Sequence, residues 1–240
     1  MEMITAENLN KIFSQGEKEV HAVRDVNLTI EKGERVYIHG PSGAGKSTLL
    51  HVLAGLDRPT SGSVSFYENK IYDLSDRKRS ALRNRNFGFV FQFYHLLPEL
   101  DVLENVMLPA MINGKENRKR IKNRATVLLE RVGMIGRSGH RPSRLSGGEA
   151  QRTAIARALM NSTDVLFCDE PAGNLDSEMS KSIYAMIRDI SEEKNMSVIV
   201  VSHQDITENF AHTEYVMKDG VLEKVSECQS VKVSTAEMKG

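Results

Sequence analysis

The sequence predicts an α/β protein: a mostly parallel sheet, an antiparallel β subdomain at its N-terminal side, and a helical subdomain inserted in the middle. Three observations carry this. Four short apolar, β-rich runs recur with helical stretches between them, as in a parallel sheet covered on both faces. The first thirty residues alternate in the manner of an antiparallel hairpin. From about Val102 to Arg144 strand signals nearly vanish and apolar residues fall at helical spacing.

Ile4 to Phe13 and Val20 to Ile30 read as two strands around the turn Ser14-Gln15-Gly16-Glu17, joined by Val64 to Tyr67 in one antiparallel sheet. The buried strands of the main sheet are Val36-Tyr37-Ile38, Phe87 to Phe91, Val165 to Cys168 and Val198 to Val201. Thr48 to Gly55 reads as a helix after the glycine-rich loop Gly40 to Ser47 that follows the first of these strands. In the middle segment, Leu103 to Met111 and Arg118 to Val132 have helical spacing, with Ile121, Ala125, Leu128, Leu129 and Val132 on one face. Ala150 to Met160 reads as a helix behind the turn Ser146-Gly147-Gly148. One domain over residues 1–225 follows, with the helical subdomain inserted at about 102–161. From Glu223 the chain is polar and without period; a weakly ordered tail is expected there, with 226–240 outside the domain.

Composition narrows the classes. The 240 residues are enough for a substantial core. Lys+Arg and Asp+Glu balance at 32 each, so no global field draws the chain to nucleic acid or an anionic membrane. Cys168 and Cys228 make neither a metal spacing nor a disulfide framework, which suits a reducing compartment such as the cytoplasm. No apolar run has the length of a membrane span, and Met1 to Leu9 lacks the pattern of a secretory signal. A role at a membrane is therefore expected to run through partner proteins.

The chemistry concentrates at strand ends. Gly40-Pro41-Ser42-Gly43-Ala44-Gly45-Lys46-Ser47 fits G-x-x-x-x-G-K-[ST] and lies between a strand and a helix, the context a phosphate-binding loop requires. Its glycines let backbone N–H groups wrap phosphates, Lys46 would reach the β- and γ-phosphates, and Ser47 would ligate Mg²⁺. Asp169 and Glu170 end the third strand. Asp169 suits the shell of the metal, and Glu170 is placed to polarise a water for attack, general-base work. Gln92 follows the second strand and could reach the metal or the attacking water. His203 follows the fourth and could donate to a γ-phosphate. A lone Gln or His at a strand end is ordinarily surface or capping. Four successive strand ends carrying such groups favour function, because open α/β sheets bind ligands there. Leu145-Ser146-Gly147-Gly148-Glu149 adds a second glycine turn at a helix start, a second place where anions bind well.

Taken together, these residues resemble the ATP-binding-cassette (ABC) ATPases, a P-loop NTPase family, over about Met3 to Val225. Gly40 to Ser47, with Thr48 next to it, corresponds to Walker A and Gln92 to the Q-loop. Leu145 to Arg152 corresponds to the signature motif, Val165 to Glu170 to Walker B, Asn174-Leu175-Asp176 to the D-loop, and His203 to the switch histidine. The resemblance implies a head-to-tail homodimer with two ATP molecules in the interface, each between Walker A of one subunit and the signature of the other. Ser146, Gly147, Gly148 and Glu149 would then serve the partner's ATP, and Asp176 would communicate across the interface. Phe13, before Gly16, would stack on adenine where the family more often has Tyr; a strand-core Phe is the alternative.

A narrower similarity lies in Phe91-Gln92-Phe93-Tyr94-His95-Leu96-Leu97-Pro98, Leu103-Glu104-Asn105-Val106 and Gly139-His140-Arg141-Pro142-Ser143. Leu50-His51, Gly55-Leu56-Asp57 and Gly173-Asn174-Leu175-Asp176 point the same way. These pieces look like the lipoprotein-releasing subgroup, related to MacB- and FtsE-type ATPases. Ala172 and Ala150 depart from that pattern, at positions that supply no reacting group. The resemblance implies an ATPase subunit peripheral to the cytoplasmic face of the inner (plasma) membrane, working with integral membrane permease subunits. An FtsE-like regulatory ATPase, which drives a membrane partner without transport, uses the same motifs. The basic runs Arg77 to Arg85 and Lys115 to Arg124 could face lipid headgroups or a partner, or be solvated helix faces. Cys168 reads as a small core residue rather than a redox switch.

Overall fold

The structure, a computed structural model, describes residues 1–16, 18–161, 163–204 and 210–227. In chain order the strands and helices are β1 (Glu2–Gln15), β2 (Lys18–Glu31), β3 (Arg35–His39), α1 (Lys46–Leu53), β4 (Ser61–Phe66), β5 (Asn69–Lys70), α2 (Asp76–Asn86), β6 (Phe87–Phe91), α3 (Val102–Asn113), α4 (Arg118–Arg131), α5 (Gly147–Ala158), β7 (Val165–Asp169), α6 (Ser177–Lys194), β8 (Ser197–Ser202), β9 (Thr213–Lys218) and β10 (Val221–Glu227).

Two sheets form. The antiparallel one has the order β2-β1-β4-β5, as the alternation of the first thirty residues and Val64 to Phe66 requires. Tyr67 is not part of it. It turns the chain at φ 50°, and its backbone N–H bonds back to the carbonyl of Met3. The second sheet has the order β10-β9-β3-β8-β7-β6. The four buried strands read from the sequence are parallel neighbours in it, in register from Arg35↔Val198 to His39↔Ser202 and from Phe87↔Val165 to Phe91↔Asp169. Every residue of β8 is buried, so this strand has no polar side to alternate with.

The sheet separates two cores. On one face Phe66, Phe87, Phe167 and Phe89 form an aromatic stack, with Phe87 and Phe167 at 5.2 Å and Phe89 and Phe167 at 5.7 Å, against α1 and the antiparallel sheet. On the other, α3, α4, α5 and α6 bury Val106, Leu129, Ile155 and Ile187 against Val90, Leu166 and Val198. Ile121, Ala125, Leu128, Leu129 and Val132 are all buried, the face that their spacing defined.

Two expectations are corrected. Glu223 to Glu227 is ordered: it belongs to β10, which pairs with β9 from Val221↔Lys218 to Glu227↔Thr213 around the turn Asp219-Gly220 at φ 49° and 85°. An edge strand takes its hydrogen bonds from one neighbour and can stay polar, so its composition hides it. Residues 228–240, including Cys228, lie outside the described residues. The run Arg77 to Arg85 is not a uniformly solvated face. Arg79 is buried, paired with Asp76, with its guanidinium 5.7 Å from the Tyr72 ring centroid. Arg83 donates to the carbonyl of Gly55 at 2.8 Å. In the other basic run, Arg124 is paired with Glu116 at 2.8 Å. Cys168 is fully buried in β7, and burial pushes its thiol pKa up, as a core residue requires.

Candidate nucleotide site

The C-terminal ends of β3, β6, β7 and β8 open on one cleft of about 830 Å³. Its walls include Phe13, Ser42, Gly43, Gly45, Lys46, Ser47, Thr48, Gln92, Asp169, Glu170 and His203. Gly40, Pro41 and Ala44 form the back of the same loop. The loop is wedged into place. A Cβ on Gly40 would stand 2.1 Å from the Met217 carbonyl oxygen, and one on Gly45 1.9 Å from that of Ala22. Gly45 also has φ 103°, a conformation that L-residues rarely adopt. The amide of Gly220 donates to the carbonyl of Ala44 at 3.0 Å. The β9–β10 hairpin, which the sequence did not reveal, thus holds the loop from behind.

Gly45 caps α1 without a side-chain acceptor. The first N–H groups of that helix therefore face the cleft as a ready anion site. Lys46 is buried and donates to the carbonyls of Gly40 and Pro41 at 2.7 and 2.9 Å. Burial lowers its pKa, and the carboxylates of Glu170 and Asp169 work against that. Ser47 Oγ donates to Asp169 Oδ1 at 2.8 Å. Burial raises the Asp169 pKa, while the Ser47 hydroxyl and the nearby His51 and Lys46 pull it down. His51 Nε2 stands 3.7 Å from Asp169 Oδ2, a contact that the motif Leu50-His51 does not by itself announce.

Glu170 sits at φ 48°, a left-handed conformation that costs a non-glycine residue about 1–2 kcal/mol. Three donors hold its carboxylate. Ser202 Oγ gives to Oε2 at 2.7 Å, the backbone N–H of His203 to Oε1 at 3.0 Å, and His203 Nδ1 lies 2.7 Å from Oε1. Ser202 is invisible from sequence because it reads as the end of a buried strand. Gln92 is tied to Asn174 twice: its Nε2 donates to Asn174 Oδ1 at 3.2 Å, and Asn174 Nδ2 donates to the Gln92 carbonyl at 3.1 Å. Phe13 is 40% exposed on β1, beside the cleft, with Lys11 Nζ 4.7 Å from its ring centroid. Its ring is therefore not in the core.

The second glycine turn is elsewhere. Ser146, Gly147, Gly148, Glu149 and Asp176 do not line this cleft. Ser146 and Glu149 form a capping box: Ser146 Oγ accepts from the Glu149 N–H at 3.3 Å, and Glu149 Oε2 accepts from the Ser146 N–H at 2.8 Å. Glu149 Oε1 also takes Arg137 Nε at 2.9 Å, so the Glu149 carboxylate is committed to its own helix start and holds a lowered pKa. The N–H groups of Gly147 and Gly148 are the ones that this cap leaves over. Asp176 caps α6, accepting from the Met179 N–H at 2.8 Å.

The protein oxygens of Ser47 and Asp169, 2.8 Å apart beside a phosphate loop, fit Mg²⁺, which takes hard oxygen donors and shares its shell with phosphates and water.

A family description for the ABC transporter matches residues 23–173. The chain belongs to the ABC transporter family. It is an ATP-binding and ATP-hydrolysing subunit. Among its relatives, the lipoprotein-releasing system ATP-binding protein LolD of Saccharophagus degradans is 46% identical over 90% of this chain and 95% of its own length. That of Syntrophotalea carbinolica is 49% identical over 84% and 88%. The ATP-binding cassette MJ0796, in a dimeric post-hydrolysis state with ADP and Pi, superposes with TM-score 0.88 at 36% identity, covering 95% of this chain and all of that one. A second neighbour, cbiO1 of Clostridium perfringens, part of the ABC transporter complex cbiONQ, gives TM-score 0.81 at 29% identity over 92% and 87%. The first of these neighbours is a dimer, and the second is part of a larger transporter complex. Among the described residues, no helix is long and apolar enough to cross a membrane.

Proposed function

We propose that the chain is the ATPase subunit of a lipoprotein-releasing complex at the cytoplasmic face of the inner membrane, where it drives integral membrane permease subunits. One observation carries this reading: relatives named for that system match at 42–49% identity along nearly the whole chain.

In this reading ATP lies in the cleft with adenine on Phe13. Its phosphates sit in the loop Gly40 to Ser47, and Thr48 continues that cradle onto α1. Lys46 holds the β- and γ-phosphates. Ser47, Asp169 and Gln92 would hold Mg²⁺, which when bound would neutralise phosphate charge. Glu170 takes a proton from a water as its oxygen bonds to the γ-phosphorus and the bond to the ADP oxygen breaks, leaving ADP and phosphate. His203 orients the Glu170 carboxylate and donates to the γ-phosphate. The free N–H groups of Gly147 and Gly148 and the Ser146 hydroxyl bind the γ-phosphate held by a second copy. Glu149 keeps that turn in shape, and Asp176 sits where the two copies meet. Each site is complete only in a homodimer.

The test is to purify the native complex from membranes, sequence its integral subunits, and reconstitute it with a lipid-anchored protein in vesicles. ATP-dependent release of that protein is the expected result. A cell-division-type partner with no release activity would favour the regulatory alternative, and a chain that copurifies with no membrane subunit would overturn both.

A further inference from the structure

The loop that follows Gln92 contains two consecutive non-glycine residues in the left-handed region, Tyr94 at φ 54° and His95 at φ 48°. Each pays a backbone cost of about 1–2 kcal/mol, so the pair persists only where something over-determines it. Besides the loop's own bonds, from the Tyr94 N–H to the Phe91 carbonyl and from the His95 N–H to that of Phe93, both residues are held by Arg157, in the last turn of α5. Its two guanidinium nitrogens donate to the carbonyls of these two residues, Nη2 to Tyr94 at 2.6 Å and Nη1 to His95 at 2.5 Å. The planar fork suits two adjacent acceptors, and a lysine ammonium does not reproduce it. Among the described residues Arg157 has no carboxylate in ion-pair range, and burial holds its pKa below the ordinary arginine value. A half-buried cation compensated only by two strained carbonyls is costly unless the arrangement serves the loop.

The same loop is held at its other end. Gln92 is tied in both directions to Asn174, and Tyr94 reaches the start of α5, where a Cβ on Gly147 would stand 2.9 Å from the Tyr94 hydroxyl. One rigid helix therefore carries the glycine turn at its first residues and the clamp on the Gln92 loop at its last turn, about 15 Å away at the helical rise.

We propose that Arg157 is a positioning residue that makes α5 and the Gln92 loop move together, so that docking of Ser146 on one ATP site sets Gln92 in the other site of the same subunit. The inference rests on the reading of Gln92 and Ser146 given above. Arg157 does not line the nucleotide cleft and would act only through the two carbonyls. Its effect belongs to turnover rather than to nucleotide binding.

The chain has no tryptophan, so Phe93→Trp, at a side chain 70% exposed, places a single emitter in the loop. In a Glu170→Gln background, ATP with Mg²⁺ is expected to form the dimer on size exclusion and to shift the emission of that lone tryptophan. Adding Arg157→Lys should abolish the shift while the ATP-dependent dimer remains. With Glu170 restored, Arg157→Lys should lower kcat about ten- to a hundredfold, as displaced positioning groups do, with KM for ATP unchanged. Arg157→Gln repeats both measurements should the lysine variant fail to fold. A dimer that forms with Arg157 present and gives no emission change overturns the proposal. So does a full shift, or wild-type kcat, in the variants that lack the fork. Absence of the dimer with Arg157 present retires the two-subunit reading instead, and wild-type turnover in Gln92→Ala retires the role of Gln92.

Discussion

At the scale of single residues, the site depends on backbone positions that tolerate few side chains. Gly45 is held at φ 103° with the Ala22 carbonyl where a Cβ would go. Gly45→Ala is expected to cost about 1–3 kcal/mol of stability, in the range for enforced backbone strain, measured by urea unfolding. Glu170 also sits at positive φ, and there the carboxylate itself is fixed by Ser202 and His203. Glu170→Gln keeps the shape and most of these contacts while removing the base. Turnover should fall about a hundredfold or more, the range for general-base loss, with ATP affinity unchanged. Turnover at the wild-type rate would exclude Glu170 as the base. Lys46, Ser47, Asp169 and Glu170 were legible because their roles demand fixed residue types at fixed spacing behind a strand. Ser202 and Arg157 were not, nor was the tie from Asn174 of the D-loop to Gln92: these contacts arise only when distant segments meet, Ser202 with Glu170 across 32 positions and Asn174 with Gln92 across 82.

At the scale of elements, the buried parallel strands announced themselves by length and apolarity, and the helical insertion by its periodicity. The β9–β10 hairpin did not. Its residues alternate weakly, and its place is set by pairing with β3, from Val36↔Thr213 to His39↔Val216. A tie just before β9 gives this pairing a pH dependence. His212 Nδ1 accepts from the backbone N–H of Arg35 at 3.2 Å, and the backbone N–H of His212 donates to the Arg35 carbonyl at 2.8 Å. Burial, then the Arg35 charge, depress the His212 pKa below its ordinary value. The unfolded chain therefore takes up this proton first as pH falls. The stability that the neutral ring contributes is complete above the ordinary histidine pKa and is lost as pH falls toward the depressed native value. Thermal melts between about pH 7.5 and pH 5, the span over which an ordinary histidine titrates, should show a smaller decline for His212→Asn, which keeps an acceptor and does not titrate. An equal decline would assign the effect to other groups.

At the scale of the whole molecule, the nucleotide cleft and the Ser146 turn lie apart in one chain. The cleft brings together Phe13, the phosphate loop, Gln92, Asp169, Glu170 and His203, and leaves the Ser146 turn outside it. An arginine at position 146 should leave nucleotide binding by the monomer intact and block the ATP-driven dimer, because it puts a bulky cation where the cap and its free N–H groups must approach a second copy. Light scattering of Ser146→Arg in the Glu170→Gln background reads this directly, and an unchanged dimer would remove the trans site. The sequence by itself determined the nucleotide chemistry, the parallel core and the presence of two glycine turns at helix starts, since each depends on local residue types and spacing. The tertiary structure alone decided that the two turns lie apart, that a polar hairpin backs the phosphate loop, and that Arg157 joins α5 to the Gln92 loop. Those facts depend on which distant backbone groups come within hydrogen-bond reach, and no local pattern encodes that.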